Sequence, residues 1–131
     1  MKYSLLALRI GLGIVFLWFG IDKIVNPMNW AGWVPEGVRS IIPLEDEVHM
    51  AIQGVVEGVL GALMVLGLFT RTVGAVSAAI LLAIIIAIGL NDIAGRDIGL
   101  LGGALALALG GGGELSVDYL IRRNGGDRVK K

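Results

Sequence analysis

No cysteine occurs in this chain, and histidine occurs once, as His49. The first absence excludes a thiol–disulfide relay, a thiolate nucleophile and a cysteine-ligated iron–sulfur cluster. The second excludes bis-histidine haem ligation within one chain. No metal site is therefore expected, and redox chemistry here would place its electrons on a diffusible carrier or a partner. Charge is scarce as well: Asp, Glu, Lys and Arg make up 17% of the residues, and 11 basic side chains balance 11 acidic ones. No nucleic-acid partner is expected from such a balance, and no basic cluster is large enough to suggest one. A polar helix face is also missing from Ile80–Leu90. That argues against a soluble bundle. Alternating apolar and polar strands are absent, which argues against a barrel.

What the chain has is apolar bulk and glycine. Of 131 residues, 56% are hydrophobic and 21 are glycine, and the mean hydropathy is +0.83. A single soluble domain could not hide that much apolar surface, whereas lipid accepts it. The sequence predicts an all-α fold, an integral membrane four-helix bundle forming one domain over 1–131. Spans are expected at about residues 4–25, 49–69, 72–90 and 95–110, with a short cytoplasmic tail over 114–131.

The first apolar run, Ser4–Ile21, is broken by Arg9, and no small-x-small cleavage site follows it, so it reads as a retained helix. Asp22-Lys23 and then Asn26-Pro27 end it. Met28–Glu47 is the longest segment that does not span, and its Trp30 and Trp33 suit a membrane–water interface. Glu45-Asp46-Glu47 suits the positive end of the next helix. Thr70-Arg71-Thr72 reads as a short connection, and Asn91–Asp97 as a polar link. The fourth helix either begins within 91–96 or continues through the glycines at 110–113, although four glycines favour a stop. Ser116 is placed to cap a surface helix, Val117–Arg123, whose Val117, Leu120 and Ile121 share a face. The remainder, Asn124–Lys131, reads as frayed.

Four spans put both termini and Arg71 on one side, with Lys2, Arg71, Arg122, Arg123, Arg128, Lys130 and Lys131. The other side has Lys23, Arg39 and Arg96. The positive-inside rule then makes both termini cytoplasmic in a multi-pass protein of the cell membrane.

Small residues let helices approach closely in lipid. Gly54-x-x-x-Gly58 with Gly61 marks such a face. Gly13 and Gly20 could serve likewise, as could Gly99, Gly102 and Gly103. Glu57 sits among these glycines, well inside the second span. An intramembrane carboxylate usually faces the bundle interior and is a functional candidate by default. It is the candidate catalytic group, as a proton or ligand handler; the plainer alternative is a hydrogen bond that ties helices. His49, Gln53 and Glu57 follow at spacings of four, a polar stripe from the outer surface toward mid-membrane. The outer helix ends bring Lys23, Asp92 and Arg96 near that stripe. Lys23, His49, Gln53, Asp92 and Arg96 are the candidate ligand-binding residues, with Lys23 and Arg96 suited to an anion or a carbonyl. Interfacial snorkelling and capping are the alternative for these ends. Arg9 is expected to snorkel to the cytoplasmic surface, with a meeting with Glu57 as the other option.

These residues resemble a known family pattern. Leu8-Arg9-Ile10-Gly11-Leu12-Gly13, then Phe16-Leu17-Trp18-Phe19-Gly20, Lys23-Ile24 and Pro27 are similar to the first helix of the DoxX family. Glu57, Gly61 and Leu66-Gly67-Leu68-Phe69-Thr70-Arg71 resemble its second, and the stretch from Asn91 to Asp118 fits as well. The family is named for a subunit linked to thiosulfate:quinone oxidoreductase, and Lys23, Glu57, Thr70 and Arg71 match its recurrent positions. The resemblance implies a membrane subunit of a quinone-linked oxidoreductase system, with a quinone as candidate cofactor, held without a covalent bond, and an oxidoreductase as candidate partner. The alternatives are a non-catalytic scaffold that recruits a partner enzyme, or a small-solute transporter. A transporter would need a homodimer, because four helices leave little room for a pathway.

Overall fold

The computed structural model describes residues 2–128, and within them every regular element is a helix. The order is α1 (Lys2–Val25), α2 (Met28–Ala31), α3 (Glu36–Ile41), α4 (Asp46–Leu66), α5 (Thr70–Ile88), α6 (Asp92–Gly110) and α7 (Val117–Arg128). Four of them, α1, α4, α5 and α6, are long and apolar enough to cross a membrane. Their outer faces are apolar and exposed, as at Trp18, Val59, Ile86 and Leu109. A lipid-facing surface requires this.

Several boundaries differ from those expected. α1 does not: it ends at Val25, as expected, and Lys23 is buried in its last turn, facing inward. α4 ends at Leu66 in a left-handed glycine cap: Gly67 (φ 72°) and Leu68 both donate to the Leu63 carbonyl. The connection is therefore Gly67–Phe69, and Thr70-Arg71-Thr72 is the first turn of α5. At the other end, Asn91 Oδ1 accepts from the Ala94 amide at 2.9 Å and starts α6 at Asp92. α6 stops at Gly110, where Gly111 turns to φ 75°. Ser116 does cap α7, accepting from the Tyr119 amide at 3.2 Å. That helix continues to Arg128 instead of fraying after Arg123. Met1 and residues 129–131, with the charges of Lys130 and Lys131 expected on the cytoplasmic side, lie outside the described residues.

α1 packs along α4, and α5 along α6; contact between the two pairs is sparser. Glycine makes the first pairing close. A methyl group on Gly20 would stand 2.6 Å from the Gly58 nitrogen, and one on Gly61 would stand 2.7 Å from the Leu17 nitrogen. Gly74 does the same for α5 against Ala108 of α6. Leu12, Phe16, Leu60, Met64, Val73, Leu81 and Leu107 form a core that joins both pairs.

The end that holds the α4–α5 connection is tied by polar contacts. Arg9 does not snorkel. It is buried, and its guanidinium donates to the carbonyls of Gly112 (3.2 Å) and Leu115 (2.9 Å). Asp118 of α7 accepts from the amides of Phe69 (2.7 Å) and Thr70 (2.8 Å), where α5 begins. At the opposite end, Trp30 Nε1 donates to Asp22 (2.8 Å), and Arg39 makes a two-pronged contact to Asp46 (2.9 and 2.7 Å). These bonds fold the α2–α3 segment over that end of the bundle.

Candidate functional site

Beneath that segment lies a cavity of about 380 Å³ between the two helix pairs. Small-molecule sites commonly fall in the range of about 300–1,000 Å³. Phe16, Phe19, Trp30, Val34, Ile84 and Leu100 supply apolar wall, and Lys23, His49, Gln53, Glu57, Arg96 and Asp97 supply the polar groups. Exposed residues of α4 and α5, among them Ile52, Ala83 and Ala87, stand on its rim, so it opens sideways between those helices.

At its inner end Lys23 Nζ meets Glu57 Oε1 at 2.7 Å. The two residues are only 7% and 6% exposed. Close glycine contacts between α1 and α4 set this register, because Gly20 and Gly54 adjoin the pair in sequence and in space. Gln53 Nε2 donates to the same oxygen at 3.0 Å. Oε1 thus receives two donors, and Oε2 is buried with none. That is an acceptor, or a protonated donor, without a partner inside an apolar cavity, where such a group is costly.

The other charged groups of the lining are also paired. Arg96 binds Asp97 (2.7 Å) and lies over the Phe19 ring, 4.4 Å from its centre. Lys23 lies 5.2 Å from the centre of the Trp30 ring, which in turn meets Phe19 edge-on. Two cations face two carboxylates, so the formal charge of the lining is zero. Neither Lys23 nor Arg96 is left as an uncompensated anion site.

Of the residues proposed from sequence, Lys23, His49, Gln53, Glu57 and Arg96 all line this cavity. Asp92 does not: it is exposed in the first turn of α6. His49 lines the mouth, but its Nδ1 lies 3.4 Å from the Glu45 carbonyl and its buried Nε2 is unpaired. The stripe is thus bonded from Gln53 to Glu57 and not from His49. Arg9 stays with the opposite end and does not reach Glu57. Asp97, expected with Arg96 among the outer helix ends that could line a polar pocket but not among the ligand-binding residues, lines the cavity and is buried. Its signal was the spacing of Ala94, Asp97, Ala104 and Leu107, the buried face of α6.

No curated protein and no solved structure matched this chain. A family model, DoxX, matches residues 4–90, from the start of α1 to just beyond α5. The matched stretch carries Lys23, Gln53 and Glu57 and covers well over half of the 131 residues. The chain belongs to the DoxX family.

Proposed function

We propose that the cavity binds a quinone headgroup and that the protein is a membrane subunit of a quinone-linked redox system. The observation that carries this reading is the Glu57 oxygen left without a partner in an apolar cavity. A quinone is neutral, flat and lipid-soluble, and it carries carbonyl acceptors. The charge-balanced lining, the ring surfaces of Phe19 and Trp30 and the sideways opening suit that chemistry better than a free anion. Quinone reduction consumes two electrons and two protons. The electrons come from a partner oxidoreductase, because the chain has no thiol or bis-histidine site. Lys23 would donate a hydrogen bond to one carbonyl. Glu57 would exchange a proton, with Gln53 holding its other oxygen.

A second reading has its own support. Met28, Trp33, Ile41, Ile42 and Leu44 leave apolar surface exposed at the outer end. A non-catalytic scaffold could present that surface to a partner enzyme.

The test uses the protein in nanodiscs with a short-chain benzoquinone. Trp18 faces lipid, so a Trp18→Phe background leaves Trp30 and Trp33 as reporters. Saturable quenching that is lost in the Lys23→Met/Glu57→Leu double variant is the expected result. Linear quenching, equal in both forms, would leave the scaffold reading ahead.

A further inference from the structure

We propose that α7 lies in the plane of the bilayer surface and, with Arg71, forms a binding site for the phosphate of an anionic phospholipid. The argument starts from how α7 is held. The connection from α6 is six residues, 111–116, and Arg9 grips the carbonyls of two of them. Asp118 then docks the first turn of α7 on the amides that open α5. The helix therefore sits at the end of the bundle, at the depth where the spans leave the membrane.

Its faces are unequal. Asp118 points to the protein. Leu120 and Ile121, two and three residues on, are 53% and 59% exposed, and Leu115 just ahead of the helix is exposed as well. Among the described residues, none covers them. Lipid does so without a partner protein, because Asp118 docks α7 at the end of the apolar spans. A surface helix of this kind sinks its apolar side chains to the acyl boundary and keeps its charges at the headgroups.

A second, independent observation gives the headgroup. Arg71, Arg122 and Arg123 line one shallow concavity beside α7, together with Tyr119, Glu114 and three glycines. Three cations face one carboxylate. Arg122 Nε donates to the Asp118 carbonyl of its own helix at 3.3 Å. Among the described residues Arg71, Arg122 and Arg123 make no ion pair. Guanidinium groups bind phosphate oxygens in two-pronged fashion. The positive-inside reading puts this end at the cytoplasmic leaflet, whose lipids carry negative charge.

The full chain is placed in nanodiscs of phosphatidylcholine alone or of phosphatidylcholine with phosphatidylglycerol. Amide exchange across 117–124 and lipids retained in native mass spectra are read. Phosphatidylglycerol should slow exchange there and be retained in preference. Arg122→Gln/Arg123→Gln should lower that preference by about 25-fold, at roughly fivefold per arginine. Leu120→Asn/Ile121→Asn should speed exchange in both lipids. Equal exchange and retention in the two lipids, or a preference that survives the glutamine variant, would overturn the proposal. So would the same protection from inorganic phosphate in detergent, which would mark a free-anion site. Protection that grows with the number of chains per disc would mark a second copy of the chain as the occupant.

Discussion

Lys23 and Glu57 are 34 positions apart in sequence and 2.7 Å apart in space. A lone carboxyl in lipid would be held neutral by lost hydration; this one has a cation beside it, so its exchange with Gln is not a silent change. Glu57→Gln keeps the shape but leaves the Lys23 ammonium buried without a counter-charge. Removing one partner of a buried pair costs about 3–5 kcal/mol, whereas replacing both by apolar residues of similar size is often neutral or stabilising. Glu57→Gln should therefore lower the unfolding temperature markedly, and Lys23→Met/Glu57→Leu should restore it while ligand binding stays lost. Thermal unfolding in detergent and quinone-induced quenching, read on the same samples, separate the two roles. A double variant as unstable as Glu57→Gln would mean that packing, rather than charge, holds the pair. The identity of Glu57 as the inward polar residue was legible from its place among Gly54, Gly58 and Gly61. Its partner was not, because nothing local fixes the register between α1 and α4 that puts Lys23 beside Glu57; the close contacts at Gly20 and Gly54 do that. Nothing local in the sequence ties Arg9 to Gly112 or Leu115 either: that contact spans more than a hundred positions and depends on where α6 stops.

At the scale of single helices, glycine and caps decide more than apolar content. The glycines look alike in sequence but differ in surroundings. A methyl on Gly61 would strike backbone of α1, whereas one on Gly58 or Gly99 would meet nothing within 4 Å. Gly61→Ala should destabilise the α1–α4 pair, and Gly58→Ala and Gly99→Ala should be neutral or slightly stabilising, since alanine is favoured in helices by about 1 kcal/mol. Thermal unfolding of the three variants checks this, and equal losses in all three would refute the close-packing account. The existence and order of the four spans were readable from hydropathy alone, and the stops of α1 and α6 from Pro27 and the glycines at 110–113; the stop of α4 at Leu66 was not. The start of α5 was not, because its N-terminal amides are capped by a residue 48 positions away. Burial acts to raise the Asp118 carboxyl, but the hydrogen bonds from Thr70 and Phe69 overcome it and hold the group below its ordinary value. A group lowered in this way stabilises fully above its unfolded value of about 3.9 and loses that contribution as pH falls through the lower folded value. The protection of the Phe69 and Thr70 amides, relative to their intrinsic exchange rate at each pH, should thus be flat across neutral pH and fall only in strong acid. Asp118→Ala should show the lowered protection at every pH, at a cost of about 1 kcal/mol, as for other lost caps.

The whole molecule is two helix pairs joined at one end. Near the α4–α5 connection the core, the Arg9 contacts and the Asp118 cap bind α1–α4 to α5–α6. Toward the α2–α3 end the same pairs part around the cavity, and what crosses it is polar and aromatic contact such as Arg96 over Phe19. A lipid-soluble ligand that enters between α4 and α5 needs only a small change in the angle between the pairs. Packed interfaces within each pair resist deformation, so the motion should fall between them. The absence of cysteine makes the point testable with spin labels. Val56→Cys with Ile86→Cys labels lipid-facing positions across the pairs, and Ile14→Cys with Val59→Cys labels them within the first pair. In nanodiscs the within-pair distance should be narrow and indifferent to ligand. The cross-pair distance should be broad in the free protein and narrow when a short-chain benzoquinone is added, because a bound headgroup selects one separation. Narrow distributions for both label pairs, unchanged by the quinone, would show a rigid four-helix unit and remove sideways entry as the route to Glu57.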